Sequence, residues 1–324
     1  MVSICCLAYN HEKYIKKTLD GFINQKTNFK YEILIHDDCS SDNTVKIIEE
    51  YKQRYPDLIK PIYQTENQFS KGIRVSFTYQ YSRAKGKYIA LCEGDDYWTD
   101  SNKLQLQFNA MENNSDCTLC THIVQHMDES GNYINKIQPT YEFKEGIMSK
   151  NDFFNNIFLS EIMPFQTSSF FFKKIDVIKY KNTFLKKIDE IKDFGDVPLS
   201  WYLLLNGNCY FIDKIMSNYR ENSISSWSNR LKNSSYLIKH CQDIILFLNK
   251  FNYFSKYIYN DSITYIVKKY EFSILWIRED FKKMIDSDYK EIFKKCSISD
   301  RIKIFIYGFF PFTRKIVNNM KNKK

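Results

Sequence analysis

The chain has 324 residues, of which 44% are hydrophobic and 26% are charged, and its formal net charge is +9. That length and apolar content suffice for one full domain core and a smaller second one, and nine Gly and six Pro are few, so disordered, collagen-like and linker-type sequences are excluded. Charges of both signs are interspersed, and the positive excess suits an anionic ligand, a membrane surface or a nucleic acid equally.

Short apolar runs alternate with amphipathic segments over roughly the first 115 residues, which is the pattern of a doubly wound α/β sheet. Helical spacing predicts a first helix capped by Asn10 and a second that starts at the Ser40–Asp42 cluster. Two further helices are predicted through Phe77 and around Leu104. The predicted strands of this part are Val2–Ala8, Tyr31–His36, Ile62–Tyr63 and Tyr88–Cys92.

Beyond this part, the predicted strands and helices no longer alternate regularly. A turn at Ser130–Gly131 predicts an antiparallel strand pair at one edge of the sheet. From about Leu231 turn residues become rare, so we predict an α/β domain over residues 1–230 and a helical C-terminal region over 231–324. The intervening predicted elements are the strand pair Cys117–Met127 and Tyr133–Gln138, the helix Trp201–Leu205 and the strand Tyr210–Ile212.

Cysteine usage and the N-terminus bear on the compartment. Nine Cys is an odd number, and Cys5, Cys6 and Cys92 lie inside apolar runs, so a disulfide framework is not expected. The strand-like run Val2–Ala8 lacks the features of an export signal, and no apolar run approaches the roughly 18 residues that span a bilayer. We expect a cytoplasmic protein, free or peripheral on the inner face of the membrane.

Polar side chains follow three of the predicted strands, and ligands of open α/β sheets bind beyond the carboxyl ends of strands. The first strand leads into Tyr9 and Asn10, the second into Asp37–Asp38, and the fourth into Glu93–Asp96. Five carboxylates at one edge would repel one another, and hard oxygen ligands suit Mg²⁺ or Mn²⁺. One Asp-Asp pair alone would indicate only a solvated turn, but two pairs at the same edge favour a site.

These segments resemble family 2 glycosyltransferases of the GT-A fold, a Rossmann-like mixed sheet, in their order and spacing. The resemblance covers roughly residues 1–230, and it implies an enzyme that moves a sugar from a nucleotide-diphosphate donor to an acceptor hydroxyl, usually with inversion. The segments that carry it are Leu7–Ile15 (LAYNHEKYI), Ile35–Thr44 (IHDDCSSDNT), Gly86–Ile89 with Glu93–Trp98 (EGDDYW), and Gly195–Leu199 through Tyr219–Arg220.

The resemblance also implies roles for individual residues. Asp38 would hydrogen-bond the base, Asp95 would lie near the ribose or the metal, and Asp96 would hold the metal ion, Mg²⁺ or Mn²⁺. Asp196 would be the general base, since a carboxylate must take the proton of an attacking hydroxyl; it could also serve as a helix N-cap. The residues that would border the nucleotide are Ala8, Tyr9 and Asn10.

Two positions depart from the family pattern. Many relatives have a His where this chain has Asn222, which puts a third protein ligand to the metal in doubt. Glu93 stands where Asp is common. A different metal set, Cys117, Cys120, His122 and His126, falls along one predicted strand whose side chains alternate between two faces, so we interpret it as packing rather than as a zinc site.

The tail from Arg301 combines an apolar pattern with basic residues, which fits a membrane-surface helix and a helix docked on the core equally well.

The sequence as a whole predicts a glycosyltransferase of bacterial capsule or lipopolysaccharide biosynthesis. Its expected partners are a nucleotide-diphosphate sugar, with a UDP-sugar favoured, a saccharide or lipid-linked oligosaccharide acceptor and the inner membrane surface, and no nucleic acid. Two alternatives stay open at this point. A nucleotidyltransferase would share the sheet and the acidic edge but should carry a Gly-rich basic loop after the first strand, and a non-catalytic sugar-nucleotide-binding module would not need Asp196.

Overall fold

The computed structural model describes residues 1–140, 142–154, 164–191, 196–221 and 232–310. The chain divides into two compact units, Met1–Asn229 and Arg230–Lys324.

The first unit is built on one mixed sheet whose main path runs β3-β2-β1-β4-β9-β6-β10-β5, with β7 paired to β6 and β8 to β10. Pairing is parallel among β3, β2, β1 and β4 and between β6 and β10, and it is antiparallel elsewhere. The strands are β1 (Val2–Ala8), β2 (Tyr31–Asp37), β3 (Ile59–Tyr63), β4 (Tyr88–Leu91), β5 (Tyr97–Trp98), β6 (Cys117–Met127), β7 (Tyr133–Gln138), β8 (Gly146–Met148), β9 (Phe171–Lys173) and β10 (Asn208–Arg220).

The order in which successive strands are added to this sheet reverses at β1. From β1 the next two strands in sequence, β2 and β3, lie to one side, and β4 lies to the other side. The carboxyl ends of β1 and β4 therefore flank the switch point, where loops diverge and leave a crevice for a ligand.

Helices cover the sheet because their apolar residues recur at helical spacing. In α1, Ile15, Leu19 and Phe22 are fully buried. The helices of this unit are α1 (Ile15–Ile23), α2 (Thr44–Arg54), α3 (Lys103–Asn113), the single turn α4 (Lys150–Asp152), α5 (Lys174–Asn182) and α6 (Val197–Asn206).

Most predicted elements of the first unit are present, and the strand pair β6 and β7 has the predicted bounds. Three expectations were wrong in detail. Asn10 does not cap α1, which begins at Ile15 after Tyr14. The segment through Phe77 forms a short π-helical turn, Ser76–Gln80. Strand β6 is not at an edge, because β9 and β10 pair with its two sides.

The second unit is helical over its described residues, as predicted. Its helices α7 and α8 pack on each other, and a small core around Phe272, Phe281, Met284 and Ile304 lies beneath the last helix. No helix among the described residues is long and apolar enough to cross a membrane. The helices are α7 (Ser234–Phe254), α8 (Asn260–Arg278), α9 (Lys290–Lys295) and α10 (Ile298–Phe309).

Candidate active site

A recess opens at the switch point, between the carboxyl ends of β1 and β4. Glu93, two residues after β4, and Asp196, at the start of α6, both line it. Two predicted elements distant in sequence thus bring their carboxylates to one cavity. The remaining lining residues are Cys5, Leu7, Ser76, Gln80, Leu91, Cys92 and Thr167.

Asp196 occupies the N-cap position of α6, yet its side chain makes no capping hydrogen bond. Its carbonyl oxygen accepts the Ser200 N–H at 3.0 Å, so the backbone alone starts the helix. Burial raises the pKa of the Asp196 carboxyl to about 6, and a hydrogen bond from Thr167 opposes that rise. The carboxylate is therefore not used to cap the helix.

Asp96 is 2% exposed, and hydrogen bonds from two elements hold it. The Arg220 backbone N–H donates to Asp96 Oδ1 at 2.9 Å, and the Thr18 hydroxyl donates to the Asp96 carbonyl at 2.6 Å. Burial raises the pKa of the Asp96 carboxyl well above its usual range, and the charges of Asp95 and Glu93 add to the rise. The charged form of Asp96 is thus unfavourable unless a positive group lies beside it.

Glu93 is solvent-exposed where it lines the recess. Partial desolvation by neighbouring groups, together with the charges of Asp95 and Asp196, raises the pKa of Glu93 to about 8. Gly94 lets the turn approach β1: an added Cβ would lie 2.7 Å from His11 Nδ1 and 3.1 Å from the Leu7 carbonyl oxygen. The acidic turn after β4 therefore lies against the end of β1.

The loops after β1 and β2 are joined by hydrogen bonds between side chains and backbone. Asn10, at a left-handed φ of 55°, accepts the Ser41 N–H through Oδ1 at 2.8 Å, and its own N–H donates to Ser40 Oγ at 2.9 Å. The His11 N–H donates to Thr44 Oγ1 at 2.8 Å. Much of the polar character of these two motifs serves to hold the loops together.

The carboxylates after β2 are satisfied by backbone donors. Asp37 accepts the Ser40 N–H at 3.0 Å. Asp38, which is 6% exposed, accepts the N–H groups of Gln68 and Phe69 at 2.8 and 3.0 Å. Asp38 thereby fixes the loop that follows β3.

Ala8 and Tyr9 are among the residues predicted to border the sugar nucleotide. Ala8 is buried and its carbonyl accepts the Asp38 N–H at 2.9 Å, whereas Tyr9 is 39% exposed. Asp95 lies near His11, with 3.9 Å between Asp95 Oδ2 and His11 Nε2. These residues, with Asn10, belong to neighbouring loops at the same edge of the sheet. Asn222 lies outside the described residues.

Within the described ranges, no group of three or more His, Cys, Asp and Glu side chains has a geometry that could hold a metal ion. The interpretation of Cys117, Cys120, His122 and His126 as packing agrees with their positions, since all four are buried along β6.

The sequence reasoning missed how much of the site Arg220 organises. Its guanidinium donates to the carbonyl of Asp95 at 3.2 Å and to the carbonyls of Asp128 and Glu129 at 3.1 and 2.8 Å, and it lies 4.2 Å from the Tyr14 ring centroid. In the sequence, the Tyr219–Arg220 motif was the feature that could have indicated this role of Arg220. Nothing in the sequence pointed to the recess residue Gln80.

Comparison with known proteins agrees with this architecture. The family model described as "Glycosyl transferase family 2" matches residues 3–179, which is more than half of the chain. An uncharacterized protein of Mycobacterium tuberculosis is 45% identical over 130 residues, 40% of this chain and 37% of that protein. A poly(ribitol-phosphate) beta-glucosyltransferase of Bacillus spizizenii is 34% identical over 119 residues, 36% of this chain and 18% of that protein. The chain thus spans less than half the length of these relatives.

Solved structures share the fold. S. aureus TarS residues 1–349, in complex with UDP-GlcNAc, superposes with a TM-score of 0.59 at 16% identity and covers 89% of this chain and 77% of that one. The mannosyltransferase PcManGT from Pyrobaculum calidifontis, in complex with GDP-Man and Mn²⁺, has a TM-score of 0.50 at 12% identity, covering 96% and 87%. The predicted GT-A-type α/β fold is confirmed, and the chain belongs to glycosyl transferase family 2.

Proposed function

We propose that this chain is an inverting, metal-dependent glycosyltransferase that moves a sugar from a nucleotide-diphosphate donor to an acceptor hydroxyl. The observation that carries the proposal is the switch-point recess, in which Asp196 and Glu93 meet beside the acidic turn that contains Asp95 and Asp96. Membership of glycosyl transferase family 2 supports the same reaction class.

Asp196 is the general base of this reaction. Its carboxylate accepts the proton of the acceptor hydroxyl as that oxygen bonds to the anomeric carbon, and the nucleoside diphosphate leaves from the opposite face of the sugar, which inverts the configuration. A pKa of about 6 suits this role, because the group is deprotonated at neutral pH yet more basic than an ordinary aspartate. Its position at the start of α6, without a capping bond, supports the assignment.

The acidic turn fits a divalent cation. The pKa values of Glu93 and Asp96 are raised partly by neighbouring carboxylates, so a positive ion would relieve repulsion there. Mg²⁺ or Mn²⁺ is commonly held by one or two carboxylates plus substrate phosphates, and such a site needs no cluster of three protein ligands. Asp96 and Asp95 would hold the ion, which neutralises charge on a departing diphosphate. The Mn²⁺ in the PcManGT complex supports this assignment.

The donor lies against the loops after β1 and β2. The two backbone hydrogen bonds to Asp38 leave lone pairs free on its carboxylate oxygens, and one of these accepts an N–H from the base. Ala8, Tyr9 and Asn10 border the nucleotide. The donor we favour is a UDP-sugar, and the TarS complex with UDP-GlcNAc supports that preference.

The acceptor is a growing bacterial surface polysaccharide, of the capsule or lipopolysaccharide type, or a lipid-linked oligosaccharide at the inner face of the membrane. A relative named as a poly(ribitol-phosphate) beta-glucosyltransferase supports a polymeric acceptor rich in hydroxyl groups.

Thermal-shift measurements on the purified chain test the proposal. A panel of UDP-, GDP- and dTDP-sugars is added with Mn²⁺, with Mg²⁺ or with EDTA, since a ligand that binds only the folded state raises the melting temperature. We expect one UDP-sugar to raise it, and only with a divalent cation. Stabilisation by nucleoside triphosphates but by no sugar nucleotide would instead indicate a nucleotidyltransferase. Melting-temperature shifts of equal size in EDTA would contradict the proposed dependence on a metal ion.

Release of UDP in the presence of candidate acceptors then separates an enzyme from a binding module. Asp176→Asn is a matched control, because Asp176 is also a half-buried aspartate in the first turn of a helix, with a pKa raised by burial, but lies in α5 outside the recess. We expect this variant to turn over like the wild type.

A further inference from the structure

The last described helix, α10, is apolar on two faces. Its inner face packs on the core of the second unit, where Ile304 is fully buried. Gly308 lies so close to that core that an added Cβ would be 3.2 Å from the Phe281 carbonyl oxygen. The rings of Phe281 and Tyr307 have centroids 5.5 Å apart. These contacts dock the helix and account for one of its faces.

The outer face of α10 is apolar and exposed. Exposure of its large side chains ranges from 38% for Ile306 to 70% for Ile298. Single exposed apolar residues are ordinary on a protein surface, but a stripe that continues over three helical turns indicates a binding surface. The α10 stripe consists of Ile298, Ile302, Phe305, Ile306 and Phe309, spaced three and four residues apart.

Positive charge is concentrated in the same part of the sequence. Residues 290–324 contain ten Lys and Arg against two acidic residues, a net charge of +8 out of +9 for the whole chain. The preceding 289 residues are therefore almost neutral. At 3.6 residues per turn, Arg301 and Lys303 fall on either side of the α10 stripe. The exposed apolar face is thus flanked by cationic side chains.

We propose that the α10 stripe is a docking surface for an anionic lipid bilayer. The helix would lie in the plane of the interface, with the stripe facing the acyl chains and the basic side chains among the phosphate headgroups. The binding itself is independent of the enzymatic reaction. Only its consequence, delivery of the active site to a lipid-linked acceptor, rests on the proposed function.

Charge and polarity favour this occupant over two others. A nucleic acid would meet the basic residues but offers no apolar surface to cover the stripe. A symmetric pair of chains would cover it but would bring two segments of +8 together, which is electrostatically unfavourable. An anionic bilayer matches both features at once.

Co-sedimentation of the full chain with vesicles tests the proposal. We expect binding to vesicles of phosphatidylcholine mixed with phosphatidylglycerol and little binding to phosphatidylcholine alone. The double variant Phe305→Ser with Phe309→Ser should partition on the order of tenfold less. The matched control is Ile175→Ser with Ile178→Ser, which removes two comparably exposed residues, 53% and 43%, from α5 and should bind like the wild type.

Three results would overturn the proposal. In the first, the wild-type protein stays in the supernatant with anionic vesicles. In the second, the Phe305/Phe309 double variant and the wild type sediment equally. In the third, the wild type is a dimer without lipid and the double variant is a monomer. An unchanged melting temperature shows that the variant is folded. A nucleotide-sugar shift measured on the same samples keeps the two proposals separable, since vesicle binding without that shift would contradict only the enzymatic one.

Discussion

Two Asp-Asp pairs lie at or shortly beyond the carboxyl ends of strands β2 and β4 of the same sheet, and the fold uses them differently. Asp37 and Asp38, after β2, accept backbone N–H groups of Ser40, Gln68 and Phe69. In the pair after β4, Asp96 accepts one backbone N–H and lies among carboxylates that raise its pKa. The first pair is matched by donors, whereas burial and neighbouring carboxylates make the charged form of Asp96 unfavourable.

The role of an acidic motif therefore depends on which hydrogen-bond donors reach it. A carboxylate that accepts backbone N–H groups organises loops, because each such bond favours the charged form and fixes the chain. A carboxylate that lies near other carboxylates in a recess, such as Glu93, is repelled by their charges, and binding of a cation or a proton reduces that repulsion. The predictions below separate these two roles.

The largest effect is expected at Asp196, which lines the recess together with Glu93. Asp196→Asn should lower kcat about a thousandfold while leaving the dissociation constant of the donor nearly unchanged, because it removes a base and little else. Steady-state rates of UDP release and donor titration measure both quantities. Asp176→Asn serves as the matched control. Wild-type turnover in Asp196→Asn would show that another group takes the proton.

Asp96→Asn should abolish the metal-dependent part of donor binding. The variant removes charge from the acidic turn, so the melting-temperature increase produced by a UDP-sugar with Mn²⁺ should disappear. Asp100→Asn is the control, since that carboxylate, four residues further on, pairs with Lys214 at 2.5 Å instead. If Asp96→Asn kept the full Mn²⁺-dependent shift, the cation would have to be held elsewhere.

Asp38→Ala should destabilise the fold with or without metal. It leaves the N–H groups of Gln68 and Phe69 without their acceptor, at an expected loss of about 2 kcal/mol in the free energy of unfolding. Urea denaturation in EDTA and in Mn²⁺ measures the loss, and Asp57→Ala, at an exposed turn, is the control. A loss confined to the Mn²⁺ samples would place Asp38 with the acidic turn and remove the distinction between the two pairs.

The smallest effect is a pH dependence of stability in EDTA. Glu93, Asp96 and Asp196 have pKa values raised in the folded chain, whereas the same groups titrate near pH 4 when unfolded. Between about pH 4 and about pH 8 the folded state therefore binds more protons than the unfolded state, so stability falls as pH rises. We expect a lower melting temperature at pH 8 than at pH 5, relative to Glu93→Gln, and recovery with Mn²⁺. A Glu93→Gln profile parallel to that of the wild type would contradict this.

Strand and helix positions near the start of the chain were predictable because apolar spacing reports which face of an element is buried. The run Val2–Ala8 and the pair β6 and β7 are examples. The role of Asn10 was not predictable. Cap propensity is a local rule, and here the side chain accepts the N–H of Ser41, which lies 31 residues away.

The sheet, the helical C-terminal region, the family and the edge at which carboxylates gather were predictable, because each follows from local spacing or from motifs read in order. The folded chain was needed to show which carboxylates accept hydrogen bonds, that Asp196 and Glu93 share one recess, that Arg220 links the acidic turn to neighbouring loops, and which face of α10 remains exposed. The reason is physical: burial, mutual repulsion and donor geometry are properties of pairs of groups, and the chain separates those groups by tens to more than a hundred residues.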